Sequence, residues 1–173
     1  AIGGDPRLAD RAAELAKCDL ITSMVGEFPE LQGLMGRYYA ERDGEHAEVC
    51  EALREQYLPR FAGDELPATP TGMALAIADK LDTIAGIYAT GQKPTGTRDP
   101  FGLRRAALGL LRTSIERRLD LDLQSLIGQA LAALPFAAPA DCARDVYDYV
   151  IERLRAYYVE GDAGLQVTPE TFD

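Results

Sequence analysis

Apolar side chains recur every third or fourth position through most of the chain, and the alternation that marks a strand does not occur. The first run is Leu8, Ala12, Leu15, Ala16, Leu20 and Met24. It predicts a helix from Pro6 to about Val25, capped by Asp5 and stopped by Gly26. A second helix is predicted from Pro29, with Leu31, Leu34, Met35, Tyr38 and Tyr39 on one side. Gly33 and Gly36 fall inside it. Each costs ~1 kcal/mol against alanine in a helix, so the pair predicts close approach by a neighbouring helix or a ligand. After the turn Arg42 to Glu45, the positions Val49, Leu53 and Tyr57 predict a third helix from His46 to about Pro59. Thr71 is expected to cap a fourth, Met73 to about Thr90. Its stripe of Leu75, Ala78, Leu81, Asp82 and Ala85 is widened by Ile77, Ile84, Ile87 and Tyr88. A helix apolar most of the way round belongs at the centre of a bundle.

Gly91 to Arg105 then forms a Gly/Pro-punctuated loop that runs into a fifth helix, Phe101 to Arg118. Asp99 suits its N-cap and Pro100 its first helical position. Phe101, Arg104, Leu108, Leu111 and Ile115 share one face, and Arg105, Gly109, Arg112 and Glu116 the opposite one. A sixth helix runs from Asp120 or Asp122 to about Leu134. Asp141 caps a seventh, which runs to about Glu160. The seventh sets Val146, Tyr149, Val150, Leu154 and Tyr157 against Arg144, Asp148 and Arg155. After Gly161 no stop signal is visible, and the chain reads as cut within a domain. The fold class is therefore all-α, a bundle of about six or seven helices.

Charge changes the picture at one place. The chain carries −10 overall, yet Lys93 to Arg118 holds seven basic residues against two acidic ones, a local +5 that leaves −15 on the rest. A basic island on an acidic body is a candidate docking site for a polyanion, with a solvated helix face as the plainer alternative. Arg105 and Arg112 stand seven residues apart on the face expected to be exposed, a spacing that can follow a phosphate backbone. No apolar run approaches the ~20 residues that span a bilayer, and no signal peptide opens the chain. The three cysteines, Cys18, Cys50 and Cys142, are odd in number and dispersed, which suits a reducing, cytoplasmic compartment.

Catalytic constellations are sparse. The one histidine, His46, sits in a polar stretch and reads as a surface residue. No Ser-His-Asp or Cys-His grouping is visible, since every version would depend on His46, and no catalytic residue is assigned. Asp79 and Asp82 stand three residues apart on one helix and could share a cation. An ion pair with Arg104, at the edge of the apolar face, is the alternative, because buried carboxylates need partners. The loop Gly91 to Gly96 has the Gly, Lys and Thr of a phosphate cradle but not the spacing.

Four stretches carry a likeness. They are Asp19 to Ala40 (DLITSMVGEFPELQGLMGRYYA), Tyr57 to Asp64 (YLPRFAGD), Ala76 to Ile87 (AIADKLDTIAGI) and the loop Gly91 to Arg105. Together they resemble the bacterial glycyl-tRNA synthetase beta subunit, in the family's order and over most of residues 10–160. That subunit is much longer, so the resemblance implies an internal piece. It implies an HD-domain-like helical module over residues 1–118, and the start of the C-terminal anticodon-recognition region over 119–173. HD hydrolases hold metal through a histidine, a His-Asp pair and a later aspartate. Asp79 is similar to the last, but Lys17-Cys18-Asp19 stands where the pair is expected, so no metal site is expected here. The implied role is tRNA binding within a heterotetrameric ligase. Lys93, Arg98, Arg105 and Arg112 would contact phosphates, and Arg104 with Asp79 and Asp82 would form the structural ion pair. The implied partners are tRNA(Gly), the alpha subunit and the remainder of the beta subunit. Glycine activation with ATP belongs to the alpha subunit in that family, so no cofactor and no activity are expected of this stretch alone. The alternatives are a scaffold that contacts other subunit regions, or a metal-dependent HD phosphohydrolase.

Overall fold

Asp5 caps the first helix as expected, its carboxylate accepting from the Arg7 amide at 2.9 Å. The structure, a computed structural model, describes residues 2–94 and 99–159. Among them there is no strand. The eight α-helices are α1 (Pro6–Glu14), α2 (Ser23–Glu27), α3 (Leu34–Arg42), α4 (Ala47–Glu55), α5 (Pro70–Ala89), α6 (Leu103–Glu116), α7 (Leu123–Ala132) and α8 (Cys142–Val159). Two 3₁₀ turns, Cys18–Ile21 and Pro29–Leu31, lie between α1 and α3. None of these helices is long and apolar enough to cross a membrane.

The first predicted helix is interrupted. Lys17 takes a left-handed conformation at φ +63°, which no α-helix continues through. Beyond it come the 3₁₀ turn and the short α2, capped by the Thr22 hydroxyl. The second predicted helix also starts later. Gly33 lies at φ +81° as the residue before α3, not inside a helix. Its role as a point of close approach holds, because a Cβ there would lie 2.8 Å from the Tyr57 ring. Gly36 does lie within α3, and a Cβ there would stand 3.3 Å from Asp19.

The described chain divides into two compact units, the cut falling within α5 between Asp79 and Lys80. In the first, which also includes Arg118–Asp120, α4 packs against α1 and α3. Its core gathers Ala12, Val49, Ala52 and Leu75, flanked by Ala40, Cys50 and Leu53. Two glutamates of α4 hold the start of α5. Glu55, 1% exposed, accepts from the Ala68 amide at 2.7 Å, the Thr69 amide at 3.1 Å and the Thr69 hydroxyl at 2.6 Å. Glu48 accepts from the Thr71 amide at 3.1 Å and its hydroxyl at 2.7 Å. Thr69 rather than Thr71 is the cap, its hydroxyl accepting from the Gly72 amide at 3.0 Å. Pro70 then takes the first helical position, where its missing N–H costs nothing. Carboxylates at this end also meet the positive pole of the helix dipole.

In the second unit α8 packs against α6 and α7. Leu81, Ile84, Leu103, Leu110, Ile127, Val146 and Val150 are buried there, and the rings of Tyr88 and Tyr149 meet at 5.4 Å. The predicted division of α8 holds, with Val146, Val150 and Tyr157 buried and Arg144, Asp148 and Arg155 exposed.

Candidate nucleic-acid interface

Asp99 lies three residues before the N-cap of α6, which is Gly102 rather than Asp99, and Pro100 stands outside the helix instead of at its first position. The Asp99 carboxylate accepts from the amides of Leu103 at 2.7 Å and Arg104 at 2.9 Å, and Gly102 lies at φ +68°. Two of the first-turn donors are thus already used, which leaves side chains to meet most of the charge of an anion at this loop. Lys93 is available for that, its side chain 48% exposed and its ammonium paired with Asp145 of α8. Arg105 is exposed, its guanidinium folded back beside Gly102. Arg98 lies outside the described residues.

Arg112 does not stand on an open surface. Its side chain is 11% exposed, and its Nε donates to Glu116 at 2.8 Å, which also accepts from the Tyr157 hydroxyl at 3.3 Å. The expected exposed row of Arg105 and Arg112 is therefore not formed. The reason lies in the width of the covered arc on α6. Leu103, Ala107, Gly109, Leu110, Leu111 and Thr113 are all buried, while Phe101, expected inward, is 44% exposed. The buried stripe is displaced by about one position from the one the sequence predicts, and α8 covers the side that carries Arg112.

On α5 the expected stripe holds at Leu75, Leu81 and Ala85 and fails at two positions. Ala78 and Asp82, expected inward, are exposed, and the buried row runs Ile77, Lys80, Leu81, Ile84, Ala85 and Tyr88. Asp82 therefore makes no buried ion pair with Arg104. Asp79 is half-buried and takes the ammonium of Lys17 at 3.0 Å. Arg104 stands in the wall of a cleft beside α8.

Around Lys17 the structure assembles a network that sequence reasoning does not reach. Lys17 lies over the Tyr57 ring, 4.1 Å from its centre. Asp19 is 3% exposed and accepts from the Gly33 amide at 2.6 Å and the Tyr57 hydroxyl at 2.7 Å. Burial pushes the Tyr57 phenol far above its ordinary range, so it remains a donor. The two glycines are the available signal, and their neighbours are these two side chains. His46 is exposed and caps α4, accepting from the Glu48 amide at 3.2 Å. Among the described residues no three His, Cys, Asp or Glu side chains are grouped to hold a metal.

Fold and site together define an all-helical module with a basic loop and helix set on an acidic body. A profile of the glycyl-tRNA synthetase beta subunit matches residues 2–168, and the chain belongs to that family. The glycine–tRNA ligase beta subunit of Chromohalobacter salexigens is 55% identical over 167 residues, which cover 96% of this chain and 24% of that protein. That of Marinobacter nauticus is 56% identical over 160 residues, 92% of this chain and 23% of that protein. That of Xanthomonas campestris is 52% identical over 174 residues, 96% and 25% respectively. The chain thus spans about a quarter of the length of the curated relatives it matches.

Proposed function

We propose that this chain serves as a tRNA-docking module in the beta subunit of a glycine–tRNA ligase, acting with an alpha subunit that activates glycine with ATP. The observation that carries the reading is the net +5 between Lys93 and Arg118 on a chain of −10, with Lys93 and Arg105 exposed at its leading end. Lys93, Arg98 and Arg105 contact phosphates, which orients RNA without reading its sequence. Arg112, held between Glu116 and the helix, shapes α6 rather than touching RNA.

The test is the triple variant Lys93→Ala, Arg98→Ala, Arg105→Ala in the full beta subunit assembled with its alpha subunit. Glycyl-adenylate formation should persist, because no polyanion docks in that step. Binding of tRNA should weaken, and its log–log salt dependence should flatten by roughly 0.7–0.9 per lost contact. Unchanged tRNA affinity at two salt concentrations would overturn the reading.

A second reading has an observation of its own. In the first unit Leu20, Ile21, Met24 and Phe28 are 47%, 88%, 39% and 50% exposed on consecutive short elements. An apolar patch of this kind suits packing against another protein surface, which is a scaffold role within the subunit. Loss of alpha–beta assembly in the variant Ile21→Asp, Phe28→Asp, with tRNA affinity intact, would favour it.

A further inference from the structure

The second unit holds a cleft of about 540 Å³ between Lys93, Arg104 and one face of α8. Asp145, Tyr149, Glu152 and Arg153 line it at helical spacing. Two donors there are buried without a hydrogen-bond partner, the Tyr149 hydroxyl and the Arg153 Nε. Nη2 of Arg153 donates to Glu152 at 2.5 Å, and the cationic centre sits 5.8 Å from the middle of the Tyr149 ring. Buried polar groups are nearly always satisfied, and two orphans among the residues of one cleft call for an acceptor. Burial raises the Tyr149 phenol to about 12, so it keeps its proton at neutral pH.

The charge of the cleft narrows the class of ligand. Lys93, Arg104 and Arg153 face Asp145, Asp148 and Glu152, so cations and carboxylates are evenly matched. A bare polyanion would meet as much repulsion as attraction. A ribonucleotide brings both complements, a phosphate that accepts and a 2′-hydroxyl that donates. Resting on the RNA-docking reading above, we propose that this cleft seats one ribonucleotide of the bound RNA. Its phosphate takes the hydrogen bonds of Tyr149 and Arg153 Nε beside Lys93 and Arg104. Its 2′-hydroxyl donates to a carboxylate of the Asp148–Glu152 rim. The long side chains of Lys93 and Arg153 shift to uncover the two donors. The basic loop would then lead the strand toward a site that distinguishes RNA from DNA.

The experiment uses the full beta subunit with its alpha subunit and a glycine tRNA transcript, compared with the same sequence made as 2′-deoxy chain. Tyr149→Phe removes one hydroxyl, and Arg153→Lys removes the Nε donor while keeping the charge. Each should weaken transcript binding about three- to tenfold, the range of one hydrogen bond. Glu152→Gln with Asp148→Asn should narrow the preference for the ribo form over the deoxy form. Thermal melting confirms that each variant folds, and if Tyr149→Phe does not, Arg153→Lys decides. Full affinity in the conservative variants, with weakened binding in Lys93→Ala, Arg105→Ala, would mean that water satisfies the two donors, and the cleft proposal falls alone. Full affinity in both sets would remove the docking reading and the cleft with it.

Discussion

Replacing Gly72 by alanine sets two magnitudes against each other. Gly72 lies in the first turn of α5, and helix propensity alone favours alanine by up to ~1 kcal/mol. The structure predicts the opposite sign. A Cβ at position 72 would lie 1.8 Å from Glu55 Oε2 and 2.8 Å from both Glu55 Cβ and Cδ. Glu55 is 1% exposed, and its carboxylate is fixed by two amides and the Thr69 hydroxyl. The methyl group can be admitted only if that carboxylate leaves. Breaking up a buried, partnered charge costs about 3–5 kcal/mol, so the net loss should be about 2–4 kcal/mol. For a chain of this size that corresponds to a fall of roughly 4–16 °C in melting temperature. Circular dichroism melts of wild type and variant measure it. Gly86→Ala in the same helix is the control, since its nearest contact is Leu134 Cδ2 at 3.9 Å, and it should be neutral or stabilising. A Gly72→Ala protein as stable as wild type would refute the role given to Glu55.

Three further outcomes are expected. Lys17→Ala removes the Asp79 pair and the contact with Tyr57 and should cost about 1–2 kcal/mol in urea denaturation. Lys17→Gly should recover about 1 kcal/mol of that, because φ is +63° there; equal losses in both variants would mean that the backbone carries no strain. The Arg60 guanidinium holds the Asp64 carboxyl below its ordinary value of 3.8, so its stabilisation is complete above that pH and lost as pH falls through the lowered value. Asp64→Asn should accordingly be less stable than wild type at pH 7 and converge with it as pH falls through the lowered value; a gap that persists in strong acid would contradict this. Arg112→Ala should lower stability by about 1–3 kcal/mol through Glu116 and Tyr157, whereas Arg105→Ala should stay within ~0.5 kcal/mol, both read by chemical denaturation.

The features legible in the sequence divide from the rest along a physical line. The helical class, the caps at Asp5 and Asp122, and the two faces of α8 arise from local spacing and local hydrogen bonding. The break at Lys17 is not legible, because lysine is an ordinary helix former and its positive φ is imposed by contacts with Tyr57 and Asp79. On α6 the sequence carries the period but not the phase, and on α5 it misplaces Ala78 and Asp82. A helix covered on more than one side buries most positions, so the few exposed ones, such as Ala78, Asp82 and Arg105, cannot be picked out by hydrophobicity. The burial of Arg112 is the work of α8, whose covering side chains come from residues far along the chain. The basic loop emerges from counting charge, which depends on no tertiary contact.

The ammonium of Lys17 beside Asp79 gives this module a counter-ion it cannot lose. A dissolved cation must be captured from the medium at an entropic cost, and any chelator competes for it. A tethered ammonium is present at an effective concentration set by its own short stem, in every molecule. Its carboxylate stays neutralised through dialysis, dilution and metal starvation alike. The Lys17–Asp79 contact should therefore make the same contribution to stability in EDTA as in magnesium.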